Sequence, residues 1–261
     1  MDSVIIIPAR YDSTRLPGKP LHPIAGKAMI QRVYELANAV KNADAVYVAT
    51  DDERIVEFVD GFGGKSIMTS KTCRNGSDRC FAAAENLPEK PKFVVNFQGD
   101  SPLIPPIFIE KVIDELKTNG DVQIATPAIR VTEETYKHYQ QDMAANKAGG
   151  TTVVFKKNGD AMYFSKAPIP FLRDYDPADP LPVFKHIGIY GYRYNALETY
   201  VGLTPTQLEQ IEGLEQLRAM ENDIPIRVVT IDPFDRTIWG VDSPQDVERA
   251  EAIIAREGEI L

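Results

Sequence analysis

Five short apolar runs recur along the first half of the chain, and most gaps between them are long enough for a helix. "SVIIIPA" (3–9), "DAVYVAT" (44–50), "KSIMTS" (65–70), "KFVVNFQGD" (92–100) and "DVQIATPAI" (121–129) read as strands. Between them, helical spacing runs from Gly26 to Lys41, through "DDERIVEFVDGF" after an Asp cap, from about Asp78 to Asn86, and through "PPIFIEKVIDELKT", which has Pro in its first turn. Strands separated by helices can pair in parallel only through crossovers, which are right-handed almost without exception. The pattern therefore demands an α/β fold: an open, mainly parallel sheet with helices on both faces.

From about Arg130 to Gln207 the rhythm changes. "TTVVFKK", "DAMYFSK" and "VFKHIGIYGYR" follow one another closely, and Asn158-Gly159 between the first two is a hairpin signal. Residues 130–207 read as a smaller antiparallel insertion, leaving 1–129 and 208–261 as the α/β core. Alternation then resumes with one helix over "LEQIEGLEQLRAMENDI", a strand at "PIRVVTI" and a last helix over "SPQDVERAEAIIARE" with a Ser cap.

The formal net charge of −9 argues against a general nucleic-acid or membrane partner, since the whole-molecule field repels both. No apolar run approaches a membrane span, and no targeting segment is recognisable ahead of the first strand. The two cysteines, Cys73 and Cys80, suggest no disulfide framework and lack metal-site spacing. A reducing cytoplasm is the expected home.

On an acidic chain a local concentration of cations is informative. "PARYDSTRLPGKPL" (8–21) places Arg10, Arg15 and Lys19 in the loop that leaves the carboxyl end of the first strand. Ligands of open α/β sheets sit at that edge, and Gly18 would let backbone N–H groups approach phosphate oxygens. The string is neither a Walker A loop nor a dinucleotide turn. It is either a solvated charged loop or a seat for a polyanion. Asp100 closes the "FVVNFQGD" strand, and Asp242 stands in "WGVDSPQD"; each is a metal ligand beside nucleotide phosphates or simply a helix cap. "NGSDR" (75–79) opens a helix, with Ser77 and Arg79 able to reach phosphate or sugar oxygens, and Gln98 has an amide for hydroxyls.

The string "IIIPARYDSTRLPGKPL" resembles the opening motif of the sugar nucleotidyltransferases, and most closely that of the CMP-Kdo synthetases, the 3-deoxy-manno-octulosonate (Kdo) cytidylyltransferases. The resemblance continues in order through "ATDDERI", "NGSDR", "NFQGDSPLI", "YFSKAPIP", "KHIGIYGYR", "LEQLRAME" and "GVDSPQDVERAE". It implies a Rossmann-like fold of the nucleotide-diphospho-sugar transferase type. It implies that Pro8, Ala9, Arg10, Arg15, Lys19, Ser77, Arg79 and Gln98 bind CTP. Lys19 and Arg10 would neutralise the triphosphate, while Asp100 and Asp242 would hold Mg2+. The sugar side would be Gln98, Lys166, His186, Tyr190, Glu215 and Gln216, with Lys166 pairing the sugar carboxylate and Glu215 accepting from hydroxyls. A homodimer through the insertion, with "VFKHIGIYGY" as its apolar face, and a place in lipopolysaccharide synthesis are implied too.

Four departures from the family pattern fall mostly near the expected sugar site: Ser101 in "QGDSP", Lys166 in "YFSKAPIP", the run "NKAGGTTVVF", and Asn75 in "NGSDR". The triphosphate loop and the Asp pair match. The expected reaction is therefore cytidylyl transfer from CTP to Kdo or a modified Kdo such as the 8-amino sugar. A nucleotidyltransferase for another acidic sugar or sugar phosphate, and a non-catalytic nucleotide-binding module, are the alternatives.

Overall fold

The computed structural model describes residues 1–147 and 149–261; Ala148, within the "NKAGGTTVVF" run, lies outside the described residues. In chain order the elements are β1 (Ser3–Ala9), a 3-10 turn (Lys19–Leu21), β2 (Pro23–Ile24), β3 (Lys27–Ala28), α1 (Met29–Asn38), β4 (Ala45–Thr50), α2 (Glu53–Gly61) and β5 (Ser66–Met68). Next come α3 (Gly76–Glu85), β6 (Phe93–Phe97), α4 (Ile107–Thr118), β7 (Ile124–Arg130), α5 (Glu133–Ala144), β8 (Thr152–Phe155) and β9 (Ala161–Ser165). The chain ends with β10 (Phe184–His186), β11 (Ile189–Arg193), α6 (Tyr194–Val201), α7 (Gln207–Glu212), α8 (Gln216–Glu221), β12 (Ile226–Thr230) and α9 (Pro244–Glu257).

β5, β4, β1 and β6 pair in parallel, as the repeated strand–helix alternation requires. The four central residues of β1 alternate between two cores. Val4 and Ile6 pack with Ala83, Ala84 and Tyr192 on one face, while Ile5 and Ile7 pack with Val33, Phe108 and Ile109 on the other. A strand covered on both faces must be apolar at consecutive positions, which is why "VIII" carries no alternation.

The 130–207 strands do not form a layer of their own. β11 runs antiparallel between β6 and β7, in the middle of the main sheet, and β10, β8 and β9 extend that sheet toward one edge. β10 and β11 are the single expected strand "VFKHIGIYGYR", interrupted at Ile187 and Gly188, and both pair with β7. Most of their side chains are buried within the chain, with Val183 and Ile189 fully covered and Tyr190 at 4% exposure, while Phe184 and Lys185 are partly exposed. Most of this strand's apolar surface is therefore already covered within the chain.

Three helical features depart from the expected pattern. Helix α5 is polar along most of its length and buries only Tyr139, so its apolar spacing is weak. Helix α6 follows β11 without a break. The single helix expected over 208–224 is two helices, because Gly213 adopts the left-handed conformation at φ 65° and ends α7. That break turns Glu215 and Gln216 toward the carboxyl edge of the sheet.

Candidate active site

The carboxyl ends of β1 and β6 open into a cavity of about 380 Å³. Its floor and walls include Arg10, Arg15, Lys19, Arg79, Asp100 and Asp242, with Pro8, Ala9 and Gln98 beside them. Gly18 precedes the 3-10 turn at φ 66°, a left-handed conformation that L side chains resist, and it launches Lys19 into the cavity. The Tyr11 ring lies against this glycine and under the Arg54 guanidinium, 3.3 Å from its centroid.

Lys19 Nζ donates to Asp100 Oδ2 at 2.8 Å and to Asp242 Oδ1 at 2.7 Å. Residues from three remote parts of the chain thus converge on one point. Burial by itself would lower the Lys19 pKa, but the two carboxylates outweigh it and raise it. Burial would likewise raise Asp242, yet the Lys19 hydrogen bond and charge, with Arg15 at 3.0 Å, hold its carboxyl below the usual range. Arg15 is therefore an ion-pair partner of Asp242, at the mouth of the cavity.

The donor set suits a hard divalent cation. Two carboxylate oxygens already meet at one positive centre, the ammonium of Lys19. No cluster of three or more His, Cys, Asp or Glu stands among the described residues, so no all-protein cage is built. Two carboxylates completed by phosphate and water oxygens are what Mg2+ prefers over such a cage.

A second cavity, of about 420 Å³, adjoins the first, and both are lined by Gly76, Gln98 and Asp100. Its walls include Lys166, His186, Tyr190, Glu215 and Gln216. Lys166 Nζ contacts Thr151 Oγ1 at 3.1 Å, and among the described residues no carboxylate lies within ion-pair distance of it. Burial lowers its pKa against the more distant charges of Glu212 and Asp242, so an anion entering here would gain from pairing with it. Gln216 is buried, and its Nε2 has no hydrogen-bond partner. Buried amide donors are rarely left unpaired, and this one lines a cavity. Burial raises the Glu215 carboxyl to about 7, although Ser77 Oγ donates to it at 3.2 Å.

Two residues expected to hold the nucleotide are engaged elsewhere. Ser77 is fully buried on α3, where its hydroxyl meets Glu215, Tyr192 Oη at 3.2 Å and Asn96 Nδ2 at 3.3 Å. It braces the wall of the second cavity and does not line the first. Arg79 lines the first cavity, but its guanidinium donates to Asp51 at 3.0 Å and to Thr69 at 2.7 Å, which leaves it a neutralised strut. Thr126, buried in β7, lies 2.8 Å from His186 Nε2, and a lone hydroxyl in the apolar strand "QIATPAI" is the sequence signal for it.

Residues 4–227 match a family model described as cytidylyltransferase. A 3-deoxy-manno-octulosonate cytidylyltransferase of Maricaulis maris is 51% identical over 261 residues, covering 100% of both chains. An 8-amino-3,8-dideoxy-manno-octulosonate cytidylyltransferase of Shewanella piezotolerans is 44% identical over 257 residues, covering 98% of this chain and 99% of that one. Among solved structures, a CMP:2-keto-3-deoxy-manno-octonic acid synthetase complexed with CTP superposes with a TM-score of 0.85 at 38% identity, covering 98% of this chain and 100% of that chain.

Proposed function

The chain belongs to the cytidylyltransferase family, and we propose that it transfers the cytidylyl group of CTP to the anomeric hydroxyl of a 3-deoxy-2-ulosonic acid, Kdo or its 8-amino form, releasing pyrophosphate. The observation that carries this reading is the junction of two cavities at Asp100: a basic one lined by Arg10, Arg15 and Lys19, and a second one with a half-buried lysine facing no carboxylate among the described residues.

The sugar oxygen attacks the α-phosphorus while the α–β anhydride bond breaks, and the hydroxyl proton leaves to solvent or to the departing pyrophosphate. Such transfers need in-line placement and charge compensation, not a protein nucleophile. Arg10 and Lys19, on the loop after β1, face the triphosphate and offset its charge. Lys166 pairs with the sugar carboxylate, while Gln98, Gln216 and Glu215 bond its hydroxyls. Tyr190 and His186 form the wall against which the sugar packs. Asp100 stands between the two substrates, and with Asp242 it would hold Mg2+. Bound there, the ion supplies positive charge to the phosphates and lowers the cost of ionising the attacking hydroxyl.

No helix among the described residues is long and apolar enough to cross a membrane. We place the reaction in the cytoplasm, in keeping with the free cysteines Cys73 and Cys80. A homodimer would use the exposed Met162 and Phe171 of the 130–207 segment. A coupled pyrophosphate assay with Mg2+ tests the reaction, using CTP, UTP, GTP and TTP against Kdo and 8-amino-Kdo. Release confined to CTP plus one of these sugars is expected. No release with either sugar, or equal release from another nucleotide, contradicts the reading.

A further inference from the structure

The second cavity contains one imidazole, and the position of its proton follows from its neighbours. Thr126 Oγ1, buried in β7, lies 2.6 Å from the Ile189 carbonyl, 3.4 Å from the Ile187 carbonyl and 2.8 Å from His186 Nε2. A hydroxyl has one hydrogen, and a carbonyl can only accept. The short contact to Ile189 therefore takes that hydrogen, and Oγ1 turns a lone pair toward His186. Nε2 must then be the donor. In a neutral ring this leaves Nδ1 bare, an acceptor on the imidazole that lines the cavity. The ring is neutral, because burial and the nearby Lys166 charge lower its pKa to about 3. Phe164 and Tyr190 fix its plane, with ring centroids 5.0 Å and 5.4 Å away.

We propose that Thr126 is a positioning residue for the acceptor sugar: it locks His186 as the Nε2–H tautomer, so that Nδ1 accepts a hydrogen bond from one sugar hydroxyl. The proposal rests on the ulosonic-acid reading above and gives it a polarity. Lys166 donates to the carboxylate, and His186 accepts from a hydroxyl. A sugar lacking a hydroxyl at that point would leave Nδ1 without a donor and bind more weakly.

The test combines Thr126→Val, which keeps the shape and removes the hydroxyl, with Thr126→Ser, which keeps the hydroxyl. Imidazole 15N NMR on histidine-labelled protein reads the tautomer directly; the chain has three histidines, and His186→Gln assigns the signal. In the wild type at pH 7 we expect a neutral Nε2–H ring at His186. Thr126→Val should mix the tautomers and raise the sugar KM about tenfold with the CTP KM unchanged, as loss of one hydrogen bond of about 1.4 kcal/mol would. Thr126→Ser should match the wild type in both readouts. A wild-type His186 signal of the Nδ1–H or imidazolium form overturns the proposal, and so does an unchanged sugar KM in Thr126→Val. Absence of turnover with any ulosonic acid would instead defeat the functional reading, while the wild-type NMR signal would still decide the tautomer.

Discussion

The backbone N–H of Val241 donates to the carbonyl of Asp100 across 2.9 Å, fastening the loop after β12 to the loop after β6. Asp246 adds a second restraint, since its Oδ2 accepts from the N–H groups of Asp242 at 3.1 Å and Ser243 at 2.9 Å. The backbones of these two acids are thus held by main-chain and capping bonds that do not use their own carboxylates, so their charge can be removed while those backbone bonds remain.

Asp100→Asn and Asp242→Asn should each lower kcat about a thousandfold, the usual scale for deleting one charge partner in phosphoryl transfer. Circular dichroism should stay close to wild type, while the melting temperature falls modestly as Lys19 loses one carboxylate partner. Steady-state pyrophosphate release checks this, and a loss of less than tenfold in either variant contradicts the assignment.

Lys19→Ala should be as damaging to turnover, and it leaves two carboxylates facing each other without their shared ammonium. Single-turnover kinetics at saturating CTP separates lost chemistry from lost binding; the chemical step is expected to fall.

Gly18→Ala combines a left-handed φ of 66° with a Cβ 3.2 Å from Tyr11 Oη. The strain costs about 1 kcal/mol and displaces the turn carrying Lys19. The KM for CTP should rise while the KM for the sugar holds. Tyr11→Phe should be near wild type, because the ring face under Arg54 is what packs there.

Gln216→Leu removes a buried donor with no partner in the chain. Thermal stability without substrate should hold or increase, whereas the sugar KM should rise, since that amide is an expected sugar contact. A parallel loss of stability and sugar affinity would argue for a purely structural side chain.

Glu215 gives a pH signature. Its carboxyl is raised by burial from 4.5 to about 7, so between those values the folded protein holds a proton that the unfolded chain has released. Stability from this residue is therefore full below about 4.5, declines as pH rises to about 7 and is level above. Glu215→Gln should remove that decline, so the melting-temperature difference, variant minus wild type, should grow across the window. Parallel curves contradict the burial argument.

The α/β alternation and the basic loop were legible because each is local: a run of apolar residues, three cations in one loop. Asp100 and Asp242 are far apart in the chain, and only the family resemblance paired them. What lay hidden depends on remote contacts. "VFKHIGIYGYR" reads as one strand of an antiparallel insertion, with an apolar face for a partner, yet β6 and β7 bury its β11 half between them. Helix α5 has almost no apolar face to detect. Gly213 lies inside a continuous helical pattern, yet its φ of 65° ends α7 just before Glu215 and Gln216. Ser77 looked like a phosphate contact from its motif, and only packing against Tyr192 and Glu215 reveals its bracing role.

Diffraction from crystals grown with CTP and Mn2+, with the ion located by its anomalous signal, tests the shared-cation site most directly. The expected map places the ion at coordination distance from both Asp100 and Asp242, with the triphosphate along Arg10 and Lys19. An ion bound away from both carboxylates, or a nucleotide seated against Lys166 and His186, would contradict it.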